Sequence, residues 1–314
     1  AWSKEKSVRH ICASGGVGFE IGRYLIGKGY KAIGVKYDVK RAKAEHYVAS
    51  SVDEFILSMG SKYIQSYTLS GFKEINRKDK FLVSGTPCQI DSLRRYINKM
   101  KCQENFVLLD FFCHGVPSKF VWDKYIKEQQ DKLGNIDFVS WRNKQNGWHD
   151  SWAMTISPLD RGEVVDWYDS YNLLIKEKKG CVNSRWTQGD TFYNMFLGNN
   201  CLGKACYKYC KFKYDHSSAD IRIGDMWGET YAKEDKGVTA CVAFTQQGMD
   251  VLNNVNCELV EYPFARVAEG QIKTKIKYPM GWSFVIFFAK LQSVSMKQLV
   301  FFSRIIGKFN KIFK

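Results

Sequence analysis

The stretch "FLVSGTPCQIDSLRRYINKMKCQENFVLLDFF" covers residues 81–112 and contains a complete strand–helix–strand pattern. Its two apolar runs, FLVSG (81–85) and FVLLDFF (106–112), have the composition of buried strands. The segment between them, QIDSLRRYINKM (89–100), has apolar residues at helical spacing. A strand, a helix and a strand in this order predict a βαβ unit on a parallel sheet.

The flanking segments continue the alternation. VGFEIGRYLIGKGY (17–30) has helical spacing and precedes the strand-like KAIGVKY (31–37), and SKFVWDKYIKEQQDKLG (118–134) is again helix-like. From about 136 to 170 the sequence changes to short alternating segments, IDFVSWR, SWAMTIS and EVVDWYD, which indicate an antiparallel insertion.

We therefore predict an α/β fold with a mixed, mostly parallel sheet flanked by helices, the antiparallel insertion and a C-terminal amphipathic helical tail. The predicted division is a core over 1–270 and a basic tail over 271–314. No repeat or low-complexity linker interrupts the core.

Composition limits the class of protein. The chain has 314 residues, of which 45% are hydrophobic and 15% aromatic, so it is long and apolar enough to bury a core, and wholesale disorder is excluded. It has ten cysteines, and its amino end lacks the apolar region of a secretory signal. We expect a reducing, cytoplasmic compartment, where clustered thiols are metal ligands or redox groups.

The formal net charge of +15 is concentrated in the tail, because residues 270–314 contain no acidic residue. Cations recur there among phenylalanines and isoleucines, which favours an amphipathic helix on an anionic membrane surface, such as the inner face of the cell membrane. The alternative is a helix docked on the protein's own core or on a partner subunit. Nucleic-acid binding is not predicted, because no recognisable binding module is present.

Three cysteines fall within ten positions in "NNCLGKACYKYCKF" (199–212): Cys201, Cys206 and Cys210. Soft thiolates at such spacing select zinc or an iron–sulfur cluster, and the alternative is chance clustering of small buried residues. The segment supplies no fourth ligand. Cys88, which follows a strand and opens a helix, ranks first; Cys113, at the end of the next strand, ranks second, and either one is alternatively packed beneath a turn.

A glycine turn precedes the first long helix. Ser14, Gly15 and Gly16 in "ASGGVGFEIG" place backbone amides where they can meet a pyrophosphate, although a glycine pair before a helix is more often only a turn. The stretch is not the full dinucleotide fingerprint.

Several motifs, in one order over residues 8–260, resemble the beta subunits of the coenzyme F420 hydrogenases and dehydrogenases, here as a stand-alone bacterial-type member. The motifs that carry the resemblance are SGG (14–16), GSKYIQS (60–66), VSGTPCQIDSLRRYI (83–97), LDFFCHGVPSKFVWDKYI (109–126) and CLGKACYKYCKFKYDHSSADIRIGDMWG (201–228).

The resemblance implies an iron–sulfur flavoprotein that binds FAD beside a [4Fe–4S] cluster and passes electrons to or from a two-electron carrier or substrate. It implies the cluster ligands Cys88, Cys201, Cys206 and Cys210. It also implies residues around the flavin: Ser14, Gly15, Gly16, Lys62, Tyr63, Gln65, Gly85 and Thr86. Asp225 is either a cofactor contact or a turn cap.

Two residues have catalytic roles under this interpretation. Lys62 stabilises reduced anionic flavin, and His114 relays a proton because histidine titrates near neutrality. The general alternatives are an exposed lysine and a hydrogen-bonded turn histidine.

The chain departs from the family pattern at three points. It starts after the place where many relatives carry a ferredoxin-like segment, so electrons come from another protein such as a ferredoxin, or that segment was cut away. Cys206 and Cys210 are separated by three residues instead of two, and Cys12 stands where serine is usual. We assign no role to Cys12.

The expected function is an oxidoreductase acting on a small-molecule or glycan substrate, with polysaccharide biosynthesis as the expected pathway. The alternative is a non-catalytic zinc-binding module that docks on a membrane or a partner complex.

Overall fold

The computed structural model describes residues 1–158 and 182–312. The strands are β1 (Trp2–Ser3), β2 (Lys31–Asp38), β3 (Lys43–Ala49), β4 (Ser66–Tyr67), β5 (Phe81–Ser84), β6 (Phe106–Phe111), β7 (Ile136–Ser140), β8 (Ala153–Pro158), β9 (Val182–Arg185), β10 (Ile221–Asp225), β11 (Thr239–Ala243) and β12 (Cys257–Glu258).

The α-helices, numbered over the described residues, are α1 (Lys6–Ile11), α2 (Val17–Gly27), α3 (Val52–Phe55), α4 (Leu69–Phe72), α5 (Pro87–Met100), α6 (Lys119–Leu133), α7 (Thr191–Leu197), α8 (Lys204–Lys208), α9 (Gln246–Asn254), α10 (Phe264–Val267), α11 (Trp282–Lys290) and α12 (Met296–Ile312).

The central sheet has the order β11-β10-β6-β5-β2-β3-β4. Within the series β10-β6-β5-β2, each strand is parallel to the next. Strand β3 is antiparallel to β2, and strand β11 is antiparallel to β10. The prediction of a mixed, mostly parallel sheet is confirmed. Ligands bind such sheets at the carboxyl ends of the parallel strands.

The predicted βαβ unit forms from residues 81–112. Strand β5 is buried, and α5 begins at Pro87 after a capping box in which Thr86 and Gln89 satisfy each other's backbone amides. The helix buries Ile90, Leu93 and Ile97 against the sheet. Strands β5 and β6 pair in parallel, so the residues that follow each strand lie at one edge of the sheet.

The predicted insertion is an antiparallel sheet in the order β7-β8-β9. Its strand β8 packs into the core cluster that α6 and α7 share. The segment EVVDWYD (163–169) lies outside the described residues.

The tail contains two helices, α11 and α12, separated at 291–295, and not the one amphipathic helix that the sequence predicted. The inner faces of both helices are buried against α6 and α7, through Val285, Ala289, Met296, Leu299 and Val300. The structure therefore has the docked arrangement, the second of the two alternatives, because the apolar residues of each helix cover one face that meets the core.

The outer face of this helical pair is apolar and basic. Phe284, Phe287 and Phe301 are 64%, 56% and 59% exposed. Among the described residues, no helix combines the length and the apolar character needed to cross a bilayer.

Candidate cofactor site

A cavity of about 390 Å³ lies at the carboxyl edge of the parallel strands. The ends of β5, β6 and β10, the start of α2 and the loop 58–64 form its walls. The predicted residues that line it are Ser14, Gly16, Lys62, Tyr63, Gly85, Thr86, His114 and Asp225. Residues from five separate sequence motifs therefore meet at one cavity.

Two of the predicted flavin neighbours do not line the cavity. Gly15 packs against the chain start: its amide donates to Thr239 Oγ1 at 2.9 Å, and a Cβ at this position would lie 2.5 Å from the Ala1 carbonyl oxygen. Gln65 is exposed. A substitution at Gly15 would therefore report on packing instead of on ligand binding.

The first turn of α2 forms one wall of the cavity. Gly16 precedes the helix at φ +88°, a left-handed conformation that favours glycine. Gly18, the second residue of α2, packs closely on β10, since a Cβ there would lie 2.8 Å from Ile223 Cδ1 and would require that side chain to move. The first amides of a helix have no intrahelical acceptor, so this wall suits an anionic group.

Lys62 lies half-buried in the opposite loop. Its Nζ donates to the carbonyl oxygens of Met59 at 2.7 Å and Leu57 at 3.1 Å. Burial lowers the pKa of Lys62 to about 7. Cys12, to which the sequence assigned no role, also lines the cavity, and burial raises its pKa to about 12.

Asp225 is held from two sides. Arg142 donates to its Oδ2 at 3.0 Å, and Trp148 Nε1 donates to its Oδ1 at 2.7 Å. The same guanidinium lies 4.8 Å from the ring of Trp152 and donates to the Tyr63 hydroxyl at 3.1 Å. Asp225 therefore fixes the cavity wall through Arg142, a residue that no local motif indicated.

His114 lies at the cavity end nearest the cysteines. Its Nε2 is 2.7 Å from Asn199 Oδ1, and its ring packs edge-on to Phe196. Burial lowers the pKa of this histidine, so the neutral ring is favoured.

The thiols of Cys88, Cys113, Cys206 and Cys210 form one neighbourhood, called here the thiol group. Burial raises the pKa of Cys113 to about 12, and the charges of the other three thiols act on it in the same direction. Burial raises the pKa of Cys206, and the charges of Cys88 and Cys210 act in the same direction. Cys113 lines the cavity, so the thiol group adjoins it.

Cys201 is more deeply buried than the thiol group. Its side chain is fully buried in the core cluster that contains Leu202 and Tyr207, and burial alone raises its pKa. Its carbonyl oxygen accepts from the Ser118 amide at 2.7 Å, next to a bridge between Pro117 and Leu202. The structure therefore brings Cys113 together with three of the four predicted ligands, and it encloses the fourth, Cys201, in the core cluster against which Cys206 packs.

Donors surround the thiol group. The Val116 amide donates to Cys206 Sγ at 3.4 Å, and Thr86 Oγ1 lies 3.3 Å from Cys88 Sγ. Lys213 is 7% exposed and donates to the carbonyl oxygens of Cys113 and, at 3.0 Å, of His114. Amide donors and a nearby cation favour thiolates. Within residues 1–158 and 182–312, no set of Cys, His, Asp or Glu side chains is gathered to hold a single metal ion.

The fold and the site together define an α/β protein with a cavity at the carboxyl edge of its parallel strands and a group of thiols beside that cavity. The family model that describes the C terminus of the coenzyme F420 hydrogenase/dehydrogenase beta subunit matches residues 78–262. The chain therefore belongs to the coenzyme F420 hydrogenase/dehydrogenase beta subunit family, as its motifs predicted. At this level the expectation of an oxidoreductase subunit is confirmed.

A solved structure supports the fold. The chain is similar to a chain of the F420-reducing [NiFe] hydrogenase complex from Methanosarcina barkeri, with a TM-score of 0.54 and 16% sequence identity. The match covers 100% of this chain and 91% of the other. The search of curated proteins found no match.

Proposed function

We propose that this protein is an iron–sulfur flavoprotein oxidoreductase, with FAD in the cavity and a [4Fe–4S] cluster on the thiol group. One observation carries the proposal: the thiols of Cys88, Cys113, Cys206 and Cys210 form a neighbourhood at the end of a cavity that the family motifs line.

The donor set fits the cluster. Four thiolates are the usual ligands of a [4Fe–4S] cluster. Cys113 takes the place that the family resemblance gave to Cys201, since Cys201 is enclosed in the core. When bound together, a cluster and a flavin interconvert one-electron and two-electron transfer.

The chain's own residues have definable tasks in this proposal. The start of α2 binds the flavin phosphates through its free amides. Lys62, held by two carbonyl oxygens, supplies a positive charge on the facing loop. His114 holds or releases a proton at its ring, which Asn199 orients.

We extend the proposal to the reaction partners. An electron-donor protein such as a ferredoxin supplies electrons, and a small molecule or glycan reaches the cavity, as expected of an enzyme in polysaccharide or glycan biosynthesis. Trp152 and Trp227 in the cavity wall support a planar or ring-shaped ligand.

The proposal is tested by spectroscopy. Protein purified without oxygen should show flavin bands over broad iron–sulfur absorbance, and both should bleach with a strong reductant. Colourless protein that contains zinc would establish the alternative, a structural zinc module.

We predict that FAD affinity falls as pH rises through about 7. The pKa of Lys62 is lowered to about 7 by burial, so the residue loses its charge in this range. An anionic ligand favours the protonated form, which makes binding tightest below pH 7, with a decrease of up to about tenfold per pH unit above it. Flavin titrations between pH 6 and pH 8.5 measure the effect.

Lys62→Met is the matched variant. It should bind FAD more weakly at pH 6 and lose the decrease above pH 7. An identical pH profile in this variant and the wild type would show that Lys62 does not face the bound anion.

We also propose that the outer face of α11 and α12 binds an anionic membrane surface. Exposed phenylalanines lie there beside Lys290, Lys297 and Arg304, with no acidic residue in either helix. Each cation near an anionic surface contributes about 1 kcal/mol, and apolar side chains add burial in the interface.

We expect Phe287→Asp with Phe301→Asp to abolish co-sedimentation with phosphatidylserine vesicles, since both rings are exposed and both substitutions add negative charge. High salt should weaken binding of the wild type. Leu69→Asp, at a residue 76% exposed elsewhere, is the control and should bind normally. Wild-type protein that stays in the supernatant would refute membrane attachment.

A further inference from the structure

The thiol group reaches the surface on one side. Cys88 is exposed, whereas Cys113 and Cys206 are partly covered. Tyr209, between Cys206 and Cys210 in the chain, is 76% exposed. A group held by these thiols would therefore have one edge near solvent, open to electrons from another protein.

Six exposed lysines are called here the lysine patch. They lie on the segment that carries Cys206 and Cys210 or on a segment that contacts it: Lys204, Lys208, Lys211, Lys273, Lys275 and Lys277. Two chain segments supply them, and contacts hold the segments together. Lys275 Nζ donates to the Lys208 carbonyl oxygen at 3.4 Å, and Lys208 Nζ lies 5.3 Å from the ring centre of Tyr278.

The charge of the lysine patch is unbalanced. In the described part of the chain, no carboxylate forms an ion pair with any of the six ammonium groups. Asp215 is the one acidic residue in the sequence from 204 to 219, and it contacts His216 instead. The patch therefore presents a local positive field around an exposed aromatic side chain.

We propose that the lysine patch, centred on Tyr209, docks a small acidic one-electron carrier protein that delivers electrons at the Cys88 edge. This inference rests on the proposed function and adds the surface through which electrons reach the thiol group. Electron-transfer complexes are small and transient, and complementary charge around a central aromatic contact raises their association rate. The patch lies on the segment that carries two of the four thiols, which favours a redox partner over a lipid surface.

Charge reversal tests the surface on full-length holoprotein. Lys204→Glu with Lys211→Glu should lower the rate of reduction by a reduced, acidic plant-type [2Fe–2S] ferredoxin by roughly tenfold or more at low ionic strength. The rate is expressed relative to reduction by a small neutral photoreductant, which corrects for any change at the cluster. The control is Lys78→Glu with Lys132→Glu, which carries the same charge change at exposed residues outside the patch.

The proposal requires a lowered rate ratio only in the patch variant, and convergence of both variants with the wild type at high salt. Equal ratios in patch variant and control would overturn it. So would a patch variant that keeps its ferredoxin rate but loses vesicle binding, since the lysines would then serve the membrane. Wild-type protein without iron would refute the proposed function itself. Iron analysis of the wild type therefore separates that failure from a failure of the docking proposal.

Discussion

Cys113→Ser should lose more than about half of the iron bound by the wild type, together with the broad visible absorbance. A serine alkoxide is a hard ligand and replaces a soft thiolate poorly. We choose Cys113 because its thiol is close to those of Cys88, Cys206 and Cys210 and because the residue lines the cavity. Serine at each of the other three should have the same effect.

Cys201→Ala is the matched control. Cys201 is buried in the core apart from the thiol group, so this variant should keep its iron per folded chain while losing some thermal stability. Iron retained by Cys113→Ser and lost by Cys201→Ala would restore the ligand set that the sequence predicted.

Ending the chain after Met280 should give insoluble or unfolded protein. The deletion removes α11 and α12, whose inner faces are part of the core cluster with Trp122 and Phe196. It also removes the bond from Trp282 Nε1 to the Leu202 carbonyl oxygen, at 2.9 Å, which supports the segment that carries Cys206. Solubility and thermal unfolding of the truncated chain measure the effect.

Two point variants in α12 measure how much its buried face contributes to stability. Leu299→Ala, at a fully buried residue of α12, should lower the free energy of unfolding by about 2–5 kcal/mol. Phe301→Ala, at an exposed residue two positions along, should change it by less than about 1 kcal/mol. A soluble, cooperatively folded truncated chain would show that the helices are an accessory to the core.

The fold was predictable where local pattern decides it. The apolar runs at 81–85 and 106–112, with a helical pattern between them, determine the βαβ unit without any distant contact. The tail was less predictable, because an amphipathic helix that docks on its own core and one that lies on a membrane have the same sequence pattern.

The site was predictable only in part. The order of motifs indicated most of the cavity residues. Spacing along the chain grouped Cys201 with Cys206 and Cys210, and Cys113 ranked behind Cys88 as the fourth ligand. The bridge between Pro117 and Leu202, which joins segments 85 residues apart, places Cys201 in the core. The link from Arg142 to Asp225 likewise joins distant segments, so no local pattern could indicate it.

In the proposed arrangement, one cavity with four adjoining thiols holds a flavin beside a [4Fe–4S] cluster. The most direct measurement is quantification of iron, acid-labile sulfide, zinc and FAD in full-length protein purified without oxygen. We expect iron and sulfide in equal amounts, at roughly four of each per FAD and per chain, with no stoichiometric zinc. Stoichiometric zinc without iron or flavin would contradict it.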